Sequence, residues 1–276
     1  KIKGRRDSES TFQKRGKDMS KIRLVVCDID DTLVHKELHL AENTREVIRE
    51  LKDAGVMFTL ATGRMPYRAE VFAREAELAV PYIANNGSIL YDDGTYVYAK
   101  KVYAGIFKDL FREYIKKDPE FTVIFSYDDR ERPLRTTSWI AARAHKYKGY
   151  DEPLGDTDEV WNQQVHKVYI VDDGRTGIIG EIAKRLREMG GEYSFFQYQQ
   201  FSMEIVAEGC SKASGLKTLL DYLKVAPGEV MAIGDHTNDI EVLSMVGMGV
   251  AVANAQEEVK KIANYVTEKE RAEGVE

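Results

Sequence analysis

Along most of this chain, short apolar runs alternate with stretches in which apolar side chains recur every three or four positions, the patterns of buried parallel strands and of amphipathic helices. The first run, residues 22–27, ends in an acidic cluster, Asp28-Ile29-Asp30-Asp31-Thr32. A helix follows, with Asn43 read as its N-cap, Val47, Ile48, Leu51 and Ala54 on one face, and Gly55 as its stop. A second strand, 56–61, runs into Thr62-Gly63-Arg64, and Pro66 opens another helix where a missing N–H is no loss. Residues 80–84 form the third strand. This β-α-β-α-β order predicts a parallel sheet with right-handed crossovers.

The pattern then changes. Residues 88–98 alternate around Asp93-Gly94 as a hairpin does, and no polar cluster ends them, so a new unit is expected to begin there. It reads as helix (106–116), strand (121–127), a Tyr- and Arg-rich stretch, strand (165–171), helix (178–189) and strand (193–198), an α+β insert. From Met203 the parallel pattern is expected to resume, with helix 216–223, strand 230–234, helix 239–246, strand 249–253, helix 257–263 and strand 265–267. The fold class is α/β: a Rossmann-like parallel-sheet core in two sequence halves, 19–87 and 201–276, with the insert at 88–200 between them. Residues 1–18 carry only Ile2 and Phe12 as large apolar residues and are read as a tag or loose extension.

Composition adds exclusions. The 276 residues are 43% hydrophobic and 31% charged, ordinary for a globular chain of about two domains. The net charge of -6 hides +4 in residues 1–18, which leaves -10 on the remainder and argues against nucleic-acid binding. The longest uncharged run is 15 residues, too short for a membrane span. Two cysteines make no disulfide framework, consistent with a cytoplasmic location.

In an open parallel sheet, ligands bind beyond the carboxyl ends of the strands. The polar residues expected there are Asp28, Asp30, Thr62, Asn86, Asp235 and Asp239. Asp28 and Asp30 are two apart, so their carboxylates share a side if strand geometry persists. Such a group of acids cannot all stay ionised without a cation, and Asp28, Asp235 and Asp239 are hard ligands of the kind Mg²⁺ prefers.

The segments Asp28-Ile29-Asp30-Asp31-Thr32, Thr62-Gly63-Arg64, Lys212 and Gly234-Asp235-His236-Thr237-Asn238-Asp239 together resemble the four motifs of the haloacid dehalogenase superfamily. The insert's place, between the second and third motifs, resembles the Cof-type branch, whose α+β cap lies over the active site. The resemblance implies a Mg²⁺-dependent phosphatase with Asp28 as nucleophile, forming an aspartyl-phosphate, and Asp30 as general acid and then base. It implies that Thr62, the Gly63 amide and Asn238 hold phosphate and that Lys212 balances charge. It further implies Mg²⁺ on Asp28, the main-chain oxygen of Asp30 and Asp235, with Asp239 in support, and a cap acting as lid and specificity element. Relatives usually continue into a last helix beyond the point where this chain stops.

Other readings stand beside these. Arg64 either touches substrate or pairs with a core carboxylate, and Asn86 is either a turn residue or part of the site. Asp31 reads as loop-capping, His236 as a bystander, and Cys27 and Cys210 as packing residues, because neither has the Arg six positions on that a cysteine phosphatase uses. A sugar phosphomutase shares the aspartyl-phosphate chemistry, and a receiver-like phosphate switch shares the acidic pocket. The expected partner is a small phosphorylated metabolite, with no nucleic acid, membrane or obligate protein partner. Sugar phosphates, phosphorylated cofactors and small organic phosphates all remain open as substrates.

Overall fold

The computed structural model describes residues 21–35, 38–198 and 200–276. The segment read as a tag, 1–18, lies outside them. The chain opens with strand β1 (Leu24–Cys27), the helix Glu42–Asp53, β2 (Met57–Leu60), the helix Pro66–Glu75, and β3 (Tyr82–Ala84), β4 (Ile89–Asp92) and β5 (Thr95–Ala99). The middle of the chain gives β6 (Val102–Tyr103), the helix Lys108–Lys117, β7 (Thr122–Ser126), β8 (Glu131–Pro133), β9 (Gln164–Val165), β10 (Lys167–Val171), the helix Ile178–Met189, β11 (Tyr193–Tyr198) and β12 (Ser202–Ala207). The last part is the helix Lys212–Leu223, β13 (Val230–Gly234), the helix Ile240–Met245, β14 (Met248–Ala251), the helix Glu257–Ile262, β15 (Tyr265–Val266) and the helix Arg271–Val275.

Two compact units result. One takes in residues up to Gly63, Ala69–Val97 and Lys212–Glu276; the other takes in Arg64–Arg68 and Tyr98–Ser211. The divisions therefore fall later in the chain than the boundaries at 88 and 200 expected from pattern. The hairpin β4–β5 forms as read, with positive φ at Asp93 and Gly94 in its two-residue turn. It stays with the first unit because β4 pairs antiparallel with β3. The stretch from Met203 does not resume the parallel pattern. Residues 202–207 form β12, which pairs antiparallel with both β10 and β11 inside the second unit.

In the first unit five strands lie parallel in the order β15-β14-β13-β1-β2, and a parallel bridge from Ala61 to Ile83 brings β3 beside the end of β2. Strand β1 is buried along its whole length because it has a neighbour on each side, Cys27 standing opposite both Ile233 and Leu60. The chain winds from β1 toward β2 and β3 on one side and returns at β13 on the other. The carboxyl ends of β1 and β13 thus flank the point where strand order reverses, the place where an open α/β sheet leaves a crevice.

The helix Glu42–Asp53 starts two residues earlier than the Asn43 reading. Ala41 is its N-cap and makes no side-chain cap bond, while the acid of Glu42 sits in the first turn, where the helix dipole favours it. Its end is as read: Gly55 is left-handed, its N–H donates to Lys52 O, and the Val56 N–H donates to Leu51 O, a Schellman closure.

The second unit is a five-stranded antiparallel sheet, β11-β12-β10-β7-β8. Alternate residues of its strands, including Val123, Phe125, Val168, Ile170, Met203 and Ile205, join a core with the helices Lys108–Lys117 and Ile178–Met189. No helix among the described residues is long and apolar enough to cross a membrane.

Candidate active site

Asp28 leaves the end of β1 still paired, its N–H donating to Ile233 O at 3.0 Å. Asp235 follows directly on the end of β13. Thr32 turns back to hold it, the hydroxyl donating to Asp235 Oδ1 at 2.8 Å. Asp239 folds under the same loop, and its Oδ2 accepts from the N–H of Asp235 at 3.2 Å and of His236 at 3.1 Å. The loop depends on Gly234, since a Cβ there would stand 2.6 Å from Asp239 Cγ. As a result one oxygen from each of Asp28, Asp235 and Asp239 lies within 4.8 Å of the others.

Lys212, the first residue of its helix, reaches into this cluster. Its Nζ donates to Asp28 Oδ1 at 2.5 Å and to Asp239 Oδ1 at 2.7 Å, and the residue is only 1% exposed. Its placement rests on close packing of the helix: a Cβ on Gly215 would lie 2.7 Å from both Gly87 Cα and Ile83 Cγ2. Gly215→Ala is therefore expected to overpack against backbone that cannot yield, costing about 1–3 kcal/mol. A fall in Tm together with a fall in kcat would show it; an unchanged Tm would mean that the helix is free to shift.

Three buried carboxylates facing one ammonium leave an excess of negative charge. Burial pushes Asp28 well above the usual carboxylate range; Lys212 opposes the shift, and Asp239 and Asp235 add to it. Asp235 is pushed up to about 6 by burial and by Asp239, against the hydrogen bond from Thr32. For Lys212, burial works to lower the pKa, but Asp239 and Asp28 outweigh it and hold the ammonium above its ordinary range. Such a cluster is costly in water-free surroundings unless a cation joins it. The donor set, carboxylate oxygens with no His or Cys in the group, fits a hard divalent cation. Both oxygens of Asp239 are already engaged, Oδ1 by Lys212 and Oδ2 by the two amides, so Asp28 and Asp235 are the side chains best placed to hold it.

The other expected residues divide. Thr62 is fully buried beyond β2, with its N–H on Ile83 O and its carbonyl accepting from the Asn86 N–H at 3.0 Å. The half-buried Gly63 follows it. Asn86 is left-handed, φ 51°, and its Oδ1 accepts from Asn238 Nδ2 at 3.0 Å, which ties the third strand to the Asp235 loop. The Asn238 Oδ1 is buried and has no hydrogen-bond partner among the described residues.

Asp30 departs from the sequence expectation. Strand geometry stops at Cys27, Asp31 is left-handed with φ 59°, and the chain closes a tight turn there, so Asp28 is buried while Asp30 is exposed and its side chain stands outside the carboxylate group. Arg64 groups with the second unit. Cys27 and Cys210 are buried, and burial raises both thiols, which fits packing residues rather than nucleophiles. Burial also lowers the pKa of His236, and the backbone N–H of that residue donates to Asp239 Oδ2.

Sequence reasoning gave no role to Thr32, although it closes the acidic motif. It passed over Asn254 and Arg271 altogether, and neither stands in a strand-end cluster that signals a site.

Comparison with known proteins places the chain in a family. The family model described as haloacid dehalogenase-like hydrolase matches residues 25–276. The chain is 28% identical over 254 residues to a 5-amino-6-(5-phospho-D-ribitylamino)uracil phosphatase, YcsE, of Bacillus subtilis, covering 92% of this chain and 93% of that one. It is 27% identical over 247 residues to an HMP-PP phosphatase of Yersinia pestis, covering 87% and 86%. Among solved structures, a haloacid dehalogenase-like hydrolase from Bacteroides thetaiotaomicron superposes with a TM-score of 0.75 at 25% identity, over 92% of this chain and 97% of that one.

Proposed function

The chain belongs to the haloacid dehalogenase-like hydrolase family, and on that premise we propose that it hydrolyses small phosphorylated metabolites through a phosphoryl-aspartate on Asp28, with Mg²⁺ as its cation. That it is a phosphomonoester hydrolase follows from the family and from relatives that are themselves phosphatases. The observation that carries the finer reading is the buried ammonium of Lys212, which bridges Asp28 and Asp239.

In this reading one Asp28 oxygen attacks phosphorus in line with the leaving oxygen, the P–O ester bond breaks, and an acyl phosphate forms. Lys212 opposes the protonation of Asp28 that burial favours and fixes the direction of its carboxylate. Asp30 gives its proton to the departing alkoxide; its exposure, unlike the burial of Asp28, lets that proton exchange with solvent. The same carboxylate then takes a proton from the water that attacks phosphorus and releases phosphate. Thr62, the Gly63 amide and Asn238 are proposed to hold phosphate oxygens, and Asn86 to orient Asn238. A bound divalent cation supplies positive charge that lets phosphate approach the acidic cluster.

One relative named above is a 5-amino-6-(5-phospho-D-ribitylamino)uracil phosphatase, which makes phosphorylated compounds that carry a uracil ring the first group to assay. A panel that also contains sugar phosphates, scored for free phosphate and for isomerised product, tests the reading. Isomerisation without phosphate release would replace hydrolysis by mutase chemistry.

A pH effect follows from the carboxylates. In the cation-free protein Asp28 and Asp235 bind protons more readily folded than unfolded, so the stability they contribute is present below the ordinary carboxylate range and is lost as pH rises, for Asp235 through about 6. Mg²⁺ needs the ionised forms and must displace those protons at low pH. Adding Mg²⁺ to about 100 times its Kd is expected to stabilise the fold by about 2.7 kcal/mol near neutral pH and by clearly less near about pH 5. Thermal melts at both pH values check this, and an equal shift at the two would contradict it.

A further inference from the structure

The turn that carries Asp30 is held from outside the acidic cluster. Asp31, between Asp30 and Thr32, takes a left-handed conformation that a residue with a Cβ adopts only when its surroundings impose it. Its N–H donates to Val34 O at 2.6 Å, closing the turn locally. His35 Nδ1 lies 2.5 Å from Asp31 Oδ1, a second local contact, and two further holds come from the far end of the sequence. Asn254 Nδ2 donates to the Asp31 carbonyl at 2.7 Å, and Arg271 Nε donates to Asp31 Oδ1 at 3.3 Å. Asn254 and Arg271 are themselves joined, the Arg271 N–H donating to Asn254 Oδ1 at 2.9 Å, and Arg271 is also left-handed, φ 50°. The segment before Arg271 is fixed beside β14, since the Ala253 N–H donates to Lys269 O and to Thr267 Oγ1.

We propose that Asn254 and Arg271 are positioning residues that act through Asp31 to aim the Asp30 carboxyl at the leaving oxygen. This rests on the reading of Asp30 as the general acid. Neither residue touches the carboxylate cluster. Together they hold the carbonyl and the side chain of Asp31, and through that residue the backbone from which the Asp30 side chain leaves the turn. Thr32 is anchored separately on Asp235 and the Asp31 N–H on Val34 O, so freeing the Asp31 carbonyl loosens the middle of the turn, next to Asp30, and leaves its ends in place. Asn254 holds the Asp31 backbone and is expected to matter more than Arg271, whose bond to the side chain is longer and half exposed.

The test separates aim from stability by the leaving group. The p-nitrophenolate ion departs without help, whereas phenolate needs a proton, so a misplaced acid slows phenyl phosphate far more than p-nitrophenyl phosphate. Asp30→Asn sets the scale and is expected to lower kcat/KM for phenyl phosphate by about a hundredfold, with a much smaller loss on the nitrophenyl ester. Asn254→Ala is expected to lose about tenfold on phenyl phosphate and less than about threefold on p-nitrophenyl phosphate. Arg271→Ala should show the same selectivity at smaller size, and Arg271→Lys should recover part of it. If Asp30→Asn shows the selectivity but Asn254→Ala and Arg271→Ala lose both esters equally, or lose neither, the positioning role is wrong. If Asp30→Asn itself shows no selectivity, the acid reading of Asp30 falls, and the present inference with it. Should Asn254→Ala not fold, Arg271→Ala decides, because it leaves the Asn254 bond to Asp31 in place.

Discussion

Asp28→Asn is expected to lower steady-state phosphate release by about 10⁴-fold or more, the scale of loss when an enzyme working by covalent catalysis is deprived of its nucleophile. The amide has the size of the acid but cannot form a stable acyl phosphate. Lys212 keeps Asp239 as its ion-pair partner, so the helix that carries it stays anchored. The substitution also removes one of the buried carboxylates that repel one another, so folding without cation should be as stable as in the parent or more so. Turnover and Tm measured on the same preparation distinguish this from unfolding. Release within about tenfold of the parent would mean that Asp28 is not the nucleophile.

Removing divalent cation is the second large effect. Excess chelator should abolish activity, and Mg²⁺ should restore it, because the incoming phosphate otherwise meets three buried acids balanced by one ammonium. Asp235→Ala should raise the Mg²⁺ concentration needed for half-maximal rate by about a hundredfold, or leave no measurable rate. Among the described residues the Asp235 side chain accepts from Thr32, whereas both Asp239 oxygens are engaged, so Asp235 is better placed than Asp239 to serve a cation. Asp239→Asn should act differently: it weakens the loop held by the Asp235 and His236 amides and lowers Tm as well as rate. Full activity of the parent in excess chelator would remove the cation from the mechanism.

The core fold was legible in the sequence because strands buried on both faces must be apolar throughout, which makes the polar residues at their ends conspicuous. Asp28 after β1 and Asp235 after β13 stood out for that reason, and the structure brings them together with Asp239 and Lys212. Gly55 and Pro66 likewise marked element ends through backbone chemistry that is local to each residue.

What the sequence left undecided depends on partners far along the chain. The hairpin 88–98 has the same local pattern whichever unit it joins, and the pairing of β4 with β3 puts it, up to Val97, in the first. Residues 202–207 alternate as a strand, but their direction is set by β10 and β11, so they belong to the antiparallel sheet. The rule that residues two apart share a side holds only within a strand, and β1 ends at Cys27, which separates a buried Asp28 from an exposed Asp30. Asn254 and Arg271 meet Asp31 only because the last strands fold back beside β13, across 223 and 240 positions of sequence. Short-range periodicity thus determined which segments are strands and which acids end them. Burial, strand pairing and long-range hydrogen bonds, which exist only once the chain has closed on itself, decided what those acids face.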